Sequence, residues 1–161
     1  MAKRHAKNNH LKKWNPSHFI DTNQNFCFGP WELKPILLTG HTKGHLVLYE
    51  KNVNAFFLGD FIYDGTLYLH LSDSSFEEFQ KSLEVLKQTI HKCSEQPLLL
   101  PCHDTIPLQD HYIERLERVI QDIKTNKLQG KRENFPSDFF EESLVFEKDN
   151  IRIALKTSEV F

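Results

Sequence analysis

Three short apolar runs in this chain each lead into a side chain that can bind a metal ion. The runs are Leu37-Leu38-Thr39-Gly40-His41, Phe56-Phe57-Leu58-Gly59-Asp60 and Leu98-Leu99-Leu100-Pro101-Cys102-His103. If they are neighbouring strands of one sheet, their carboxyl ends meet at one edge, where open α/β sheets tend to place their sites. This pattern predicts a metal-dependent hydrolase. Two imidazoles and one carboxylate are too few to hold a pair of catalytic metal ions, so we expect part of the site to be absent.

Composition restricts the class of protein. The 161 residues suit a single domain, and 39% hydrophobic content allows a core of moderate size. A net charge of -2 predicts no strong attraction to nucleic acid or to an anionic membrane. The cysteines are odd in number and form no C-x-x-C pair, which favours a reducing cytoplasm. Because no apolar stretch is long enough for a membrane span or a secretory signal, we expect a soluble cytoplasmic protein.

Residues 1–24 differ in composition from the rest of the chain. Residues 1–13 are basic, with almost nothing apolar, and predict a basic arm. Such an arm can bind RNA or DNA by neutralising phosphates, but a solvated tail is the simpler interpretation and the one we favour. The remainder of residues 1–24 receives no structural assignment. Residues 25–161 are predicted to form one partial domain.

Short apolar runs after residue 25 predict β-strands. Residues 26–28 and 31–38 are extended runs separated by Gly29-Pro30, and residues 46–49 and 55–58 flank a polar turn that predicts a hairpin. The last two runs are continuously apolar, which predicts strands covered on both faces and helices packed over the sheet.

Two helices and a terminal hairpin complete the predicted α/β fold. Ser74 and Glu77 have the spacing of a capping box, and apolar residues then recur at helical intervals until a predicted end near Cys93. Asp110 is the predicted cap of a second helix that ends at Gly130. Residues 143–147 and 151–155 alternate about a polar turn, which predicts a hairpin.

The segment Thr39-Gly40-His41-Thr42-Lys43-Gly44-His45 carries the most specific chemistry in the sequence. Its two glycines allow a tight turn that holds the His41 imidazole rigidly. Asp60 and His103 occupy equivalent places at the ends of their apolar runs. Imidazole and carboxylate together suit zinc and its first-row neighbours, whereas purely oxygen ligands suit magnesium or calcium. Zinc is therefore the predicted metal.

These segments resemble the metallo-β-lactamase superfamily of hydrolases. The matching motifs are G-H-T-x-G-H at residues 40–45, apolar-G-D at residues 58–60 and L-P-x-H at residues 100–103. The resemblance implies that His41 and His103 are ligands of two different zinc ions and that Asp60 bridges them in the catalytic centre. Residues 61–67 look like a subgroup that includes acyl-CoA thioesterases, which implies an ester or thioester substrate.

The sequence also departs from that family. Its first signature, H-x-H-x-D-H, supplies most metal ligands from the N-terminal half of the fold, and nothing in this chain matches it. The chain therefore resembles the C-terminal half of a four-layer αββα sandwich. Thr39 replaces the usual proline of the loop, and Cys102 replaces the usual glycine before the last histidine.

The other candidate residues have simpler interpretations. His45 is predicted to be structural or at the pocket edge, and Tyr63 and Asp64 either line the substrate pocket or have turn and core roles. Cys102 is either a soft extra ligand or, as we prefer, a small buried thiol. Three further histidines are predicted to be exposed: His70, His91 and His111. Two phenylalanine pairs are predicted to be core residues: Phe56-Phe57 and Phe139-Phe140.

Two functions are compatible with this pattern. In the first, a zinc-bound water attacks an ester, thioester or similar carbonyl, and a partner chain or homo-oligomer completes the fold and the metal ligands. In the second, the chain is a non-catalytic remnant or interaction subunit of a split hydrolase. For the isolated chain we predict an uncovered apolar surface, weak zinc binding and little hydrolysis.

Overall fold

The computed structural model describes residues 15–109, 111–133, 135 and 143–160. Two predicted features, the basic arm at residues 1–13 and the Phe139-Phe140 pair, therefore lie outside the described residues. Nine strands and two α-helices occur in the described part of the chain. In chain order they are β1 (Phe26–Phe28), β2 (Trp31–Leu37), β3 (Leu46–Glu50), β4 (Ala55–Gly59), β5 (Thr66–Leu69), α1 (Phe76–Ile90), β6 (Leu98–Pro101), α2 (Tyr112–Lys124), β7 (Lys131–Glu133), β8 (Ser143–Lys148) and β9 (Ile151–Lys156).

The strands form two sheets, and the first carries the candidate metal ligands. Its order is β1-β2-β3-β4-β6, with antiparallel pairs as far as β4 and a parallel β4–β6 pair. The predicted β3–β4 hairpin is confirmed. The prediction that the three ligand-bearing strands are neighbours is wrong for β2, because β3 lies between β2 and β4. Since β3 is antiparallel to both, β2, β4 and β6 still run in the same direction.

The first sheet has one buried face and one apolar face that is exposed in part. Val47, Phe56 and Leu58 lie fully buried on the first of these, in the same core as Phe79 and Leu83 of α1. Strand register places a second apolar set on the opposite face, which we call the apolar face: Leu37, Leu46, Leu48, Phe57, Leu98, Leu100.

The predicted burial of the strands on both faces is wrong for the apolar face. Leu37 and Leu98 are each 49% exposed and Phe57 is 42% exposed. Phe56 is therefore a core residue, as predicted, whereas Phe57 is not. On the same side of the sheet Ala55 and Glu50 are buried, so the apolar face is exposed only in part.

Helix α1 matches its predicted position, but its cap lies one residue later than expected. Ser75, not Ser74, is the N-cap, and its hydroxyl accepts a hydrogen bond from the Glu78 backbone N–H at 3.3 Å. The helix ends at Ile90, somewhat before Cys93. The hydroxyl of Ser74 is thereby free for a different partner, described below.

Helix α2 begins close to the predicted position and ends earlier. Asp110 lies outside the described residues, and the N-cap position is taken by His111 at φ 62° without a side-chain cap. The prediction that Gly130 ends this helix is wrong. The helix ends at Lys124, where Asn126 adopts a positive φ of 55°, and Gly130 instead lies against Phe146 of β8.

The second sheet has the order β5-β9-β8-β7 and includes the predicted terminal hairpin, which is confirmed. Asp149 and Asn150 form its turn with φ of 54° and 60°. Apolar side chains of β8, β9 and α2 belong to one core. Ile153 and Leu155 of β9 are fully buried in it. In the described part of the chain, no helix is long and apolar enough to cross a membrane.

Candidate functional site

The three predicted ligands lie beyond the carboxyl ends of three strands of the first sheet. His41 follows β2, Asp60 follows β4 and His103 follows β6. Because these strands run in the same direction, all three residues belong to the same edge of the sheet, which we call the rim. The prediction of one shared edge is therefore confirmed for the strand ends.

Asp60 and His103 are in direct contact at the rim. His103 Nε2 lies 2.9 Å from Asp60 Oδ1. The two atoms are close enough for an ion pair when His103 is protonated, but the contact is not a hydrogen bond, and the buried Oδ1 atom has no hydrogen-bond partner among the described residues. A buried carboxylate oxygen without such a partner is costly and calls for an explanation.

His41 is oriented by a backbone carbonyl of the second sheet. Its Nδ1 lies 2.9 Å from the carbonyl oxygen of Tyr68 in β5. Because a carbonyl only accepts, Nδ1 is the donor of this hydrogen bond, and in the neutral form of the ring Nε2 then keeps its lone pair. Metal-binding histidines commonly have this arrangement, in which the second ring nitrogen donates to a carbonyl.

The loop that carries His41 is packed against the start of α1. We call residues 38–45 the histidine loop; its ends meet where the Leu38 N–H donates to the His45 carbonyl at 3.0 Å. Gly40 has a φ of +129°, and a Cβ atom there would lie 2.4 Å from Phe79 Cα. Only glycine allows this approach of the loop to the helix.

His45, at the end of the histidine loop, has its ring beside those of His41 and Phe61. Its ring centroid is 6.1 Å from that of His41 and 5.9 Å from that of Phe61. Burial and then the neighbouring charge of His41 lower the pKa of His45, while the Asp60 carboxylate acts in the opposite direction. Its Nδ1 is buried without a hydrogen-bond partner within the described residues. Burial therefore favours the neutral form of the His45 imidazole.

Tyr63 and Asp64 fix the loops beside His103. The Tyr63 ring packs edge-on against the His103 ring with centroids 5.2 Å apart, and its hydroxyl donates to the Thr66 carbonyl. Burial raises the pKa of Tyr63, so this phenol stays protonated. The Asp64 carboxylate accepts a hydrogen bond from the Thr105 hydroxyl at 3.0 Å. Both residues thus have the structural contacts expected of a turn and core role.

The other residues considered from the sequence have mixed outcomes. The prediction of an exposed His70 is wrong: it is fully buried and stacks on Phe135 at 4.6 Å. His91 and His111 are exposed, as predicted. The prediction of a buried Cys102 thiol is also wrong, because the residue is exposed and its backbone N–H donates to the Gly59 carbonyl.

The rim is not a complete metal site. Across the described ranges, no group of three His, Cys, Asp or Glu side chains is arranged to hold a metal ion. A groove of about 430 Å³ lies elsewhere, between the end of α1, the start of β6 and the start of α2. None of the candidate pocket residues His45, Tyr63 and Asp64 lines that groove.

One rim contact does not follow from the sequence. The Ser74 hydroxyl donates to the His41 carbonyl at 2.7 Å. The sequence signal is present as two consecutive serines before α1, but only the cap role of such serines follows from local spacing.

Two solved structures with a similar fold are metallo-β-lactamases. Metallo-β-lactamase IND-7 is 22% identical and matches with a TM-score of 0.54 over 67% of this chain and 49% of its own. A metallo-β-lactamase from Pontibacter korlensis is 19% identical and matches with a TM-score of 0.56 over 70% of this chain and 52% of its own. The chain therefore spans about half the length of these structures, and at this identity the likeness concerns the fold.

No protein-family model and no curated protein matches the sequence. The prediction of half of a metallo-β-lactamase-like sandwich is confirmed by the structural matches alone.

Proposed function

We propose that this chain, which has half of a metallo-β-lactamase fold, contributes His41, Asp60 and His103 to the metal site of a zinc-dependent hydrolase. The observation that carries the proposal is the 2.9 Å contact between His103 Nε2 and Asp60 Oδ1 without a hydrogen bond. Two ligands of one tetrahedral zinc ion, each bound at about 2.0–2.2 Å, lie roughly 3.3–3.6 Å apart. The contact is a few tenths of an ångström shorter, so a small shift of either side chain would let both groups bind one ion.

The donor set fits zinc in kind but not in number. Imidazole nitrogen and carboxylate oxygen are zinc ligands, and His41 Nε2 is available because Nδ1 donates to the Tyr68 carbonyl. A catalytic zinc needs about three protein ligands, and the described residues provide no such group. Under this proposal the missing ligands come from another polypeptide segment.

The residues of the rim have distinct roles in the proposed reaction. Bound zinc would lower the pKa of a water ligand and polarise the substrate carbonyl. Asp60 would bind metal through its carboxylate and accept a hydrogen bond from the attacking water. His45, kept neutral by burial, would line the substrate side of the rim together with Tyr63 and Asp64. The proposed substrates are small esters or thioesters.

The apolar face supports the proposed partner. It lies on the strands that end at the rim, so a layer that covers Leu37 and Phe57 has an edge beside His41 and Asp60. We propose that a partner chain or a second copy provides this layer. The three cysteines are all free, which is compatible with the cytoplasmic location that we also propose.

A non-catalytic interaction subunit is the second candidate function. The specific observation in its favour is that no group of three potential ligands lies together in the part of the chain that the structure describes. In that case the apolar face is the functional feature, and the rim histidines need no metal.

Zinc content and hydrolysis of thioester and lactone substrates by the purified chain test the proposal. We expect weak zinc binding that His41→Ala and Asp60→Ala each abolish, and His91→Ala, at an exposed histidine after α1, is the matched control. We expect little turnover unless a second polypeptide segment supplies the missing metal-binding side chains. Stoichiometric zinc with turnover that both variants abolish would show a complete enzyme and contradict the partner requirement. Zinc binding that neither variant changes would favour the interaction subunit.

A further inference from the structure

The structure assigns a positioning role to Ser74 and Lys156, which together fix the backbone of the histidine loop and thereby the direction of His41 Nε2. This inference rests on the proposed function only in taking His41 as a metal ligand. The contacts that carry it join four separate parts of the chain: the histidine loop, β5, the start of α1 and the end of β9.

The histidine loop is held by two hydrogen bonds from the residues just before α1. The Ser74 hydroxyl donates to the His41 carbonyl at 2.7 Å, and the Ser75 N–H donates to the Gly40 carbonyl at 2.8 Å. Ser74 is buried, so little water is available to replace its hydroxyl as a donor. Two consecutive carbonyls of the loop, one on each side of the His41 Cα, are thus fixed.

Lys156 fixes Ser74 in turn. Its ammonium donates to the Ser74 carbonyl at 2.7 Å and to the Ser72 carbonyl at 3.3 Å. Hydrogen bonds from a charged donor are stronger than those between neutral groups. Lys156 is the last residue of β9, so the terminal hairpin reaches the histidine loop through Ser74.

β5 and β9 therefore hold both the ring and the backbone of His41. β5 accepts the Nδ1 proton through the Tyr68 carbonyl, while β9 holds the His41 backbone through Lys156 and Ser74. β5 and β9 are parallel neighbours, with Tyr68 opposite Ala154. With the ring nitrogen and the backbone carbonyl both fixed to this unit, the imidazole plane has little freedom to rotate.

Loss of the Ser74 hydroxyl should loosen the loop without removing any metal ligand. Changes to groups that orient a ligand commonly weaken metal affinity about 10- to 100-fold. We expect Ser74→Ala to weaken zinc binding by about tenfold. Lys156→Met should act in the same direction, because it releases Ser74 from β9.

The experiment follows the His41 ring by two-bond 1H–15N correlation spectra of the full chain labelled with 15N-histidine. Spectra are recorded at about pH 8.5, where an ordinary imidazole is neutral, and His41→Ala identifies the signals. Wild type should show one fixed tautomer with the proton on Nδ1. Ser74→Ala and Lys156→Met should show averaging between tautomers, whereas Ser82→Ala, a buried serine within α1, should leave the wild-type pattern.

Zinc titration of the same samples separates the two proposals. An unchanged His41 tautomer in folded Ser74→Ala or Lys156→Met overturns the positioning role, whatever zinc does. If Ser74→Ala does not fold, as judged by its thermal melt, Lys156→Met alone decides. A fixed tautomer that both variants release supports the positioning role. If the wild-type His41 signals do not respond to zinc, this result counts against the proposed function. The tautomer result alone then decides the positioning role.

Discussion

Gly40 shows how a residue without a side chain determines the position of a candidate ligand. Its φ of +129° is strained for any residue other than glycine. A Cβ atom there would also lie 2.4 Å from Phe79 Cα, which is a steric clash. We expect Gly40→Ala to lower the free energy of unfolding by about 3 kcal/mol, from backbone strain and overpacking of about 1–3 kcal/mol each. Urea denaturation measures this change.

Gly44 in the same loop is the matched control for Gly40. A Cβ atom at Gly44 meets no atom within 4 Å, so Gly44→Ala should change stability by less than about 1 kcal/mol. Equal effects of the two alanines would contradict the packing of the histidine loop on α1.

His70 makes stability depend on pH. It is fully buried, and burial lowers its pKa below the ordinary value of 6.5. The unfolded chain therefore binds a proton at a higher pH than the folded chain, so the free energy of unfolding falls as the pH drops below 6.5. Urea denaturation between about pH 7.5 and 5 should show this loss, and His70→Phe should reduce it. A steeper loss in His70→Phe would contradict a buried neutral imidazole.

Local sequence predicts the rim ligands but not the residues that hold them. His41, Asp60 and His103 can be identified because each follows an apolar strand, and strand direction is enough to bring such ends to one edge. The contact between Lys156 and Ser74 joins residues 82 positions apart, which no local pattern records. The burial of His70 depends likewise on packing against Phe135, distant in sequence.

The elements themselves follow the sequence closely where the turn chemistry is distinctive. The terminal hairpin is predictable because alternating runs flank a polar turn, and Asp149 and Asn150 both adopt the positive φ that such a turn requires. The predicted end of α2 is wrong because Asn126 provides the positive φ that glycine usually provides, whereas Gly130 is needed for close contact with Phe146.

The hairpin turn gives a stabilising prediction. Asn150 has a φ of 60°, which glycine adopts with less strain, and Asp-Gly is a preferred pair for this turn. We expect Asn150→Gly to raise the free energy of unfolding by up to about 1 kcal/mol and Asn150→Val to lower it by about 1–2 kcal/mol. Thermal and urea melts measure both, and a destabilised Asn150→Gly would contradict the turn geometry.

At the scale of the whole molecule, continuous apolar strands predict burial on both faces, and the apolar face is buried only in part. A sequence shows that a strand has two apolar faces but not which layers cover them. β4 contributes Phe56 to the core and Phe57 to the apolar face, although the two residues are adjacent. The chain spans about half the length of the metallo-β-lactamases whose fold it shares.

The apolar face should make the isolated chain associate, and Phe57 tests this directly. Phe57 is 42% exposed and lies across from Leu48 on one side and Leu100 on the other, so it is central to a continuous patch. Large exposed apolar patches are uncommon on monomers and usually mark contact surfaces. Burial of one phenylalanine contributes about 2 kcal/mol, so we expect Phe57→Lys to weaken self-association about thirtyfold in sedimentation velocity.

Val85 on α1 is 44% exposed but lies away from the apolar face, so Val85→Lys should leave association unchanged. A wild-type chain that is monomeric at every concentration and melts cooperatively would show that this face is stable in water, and the partner layer would then lose its physical basis.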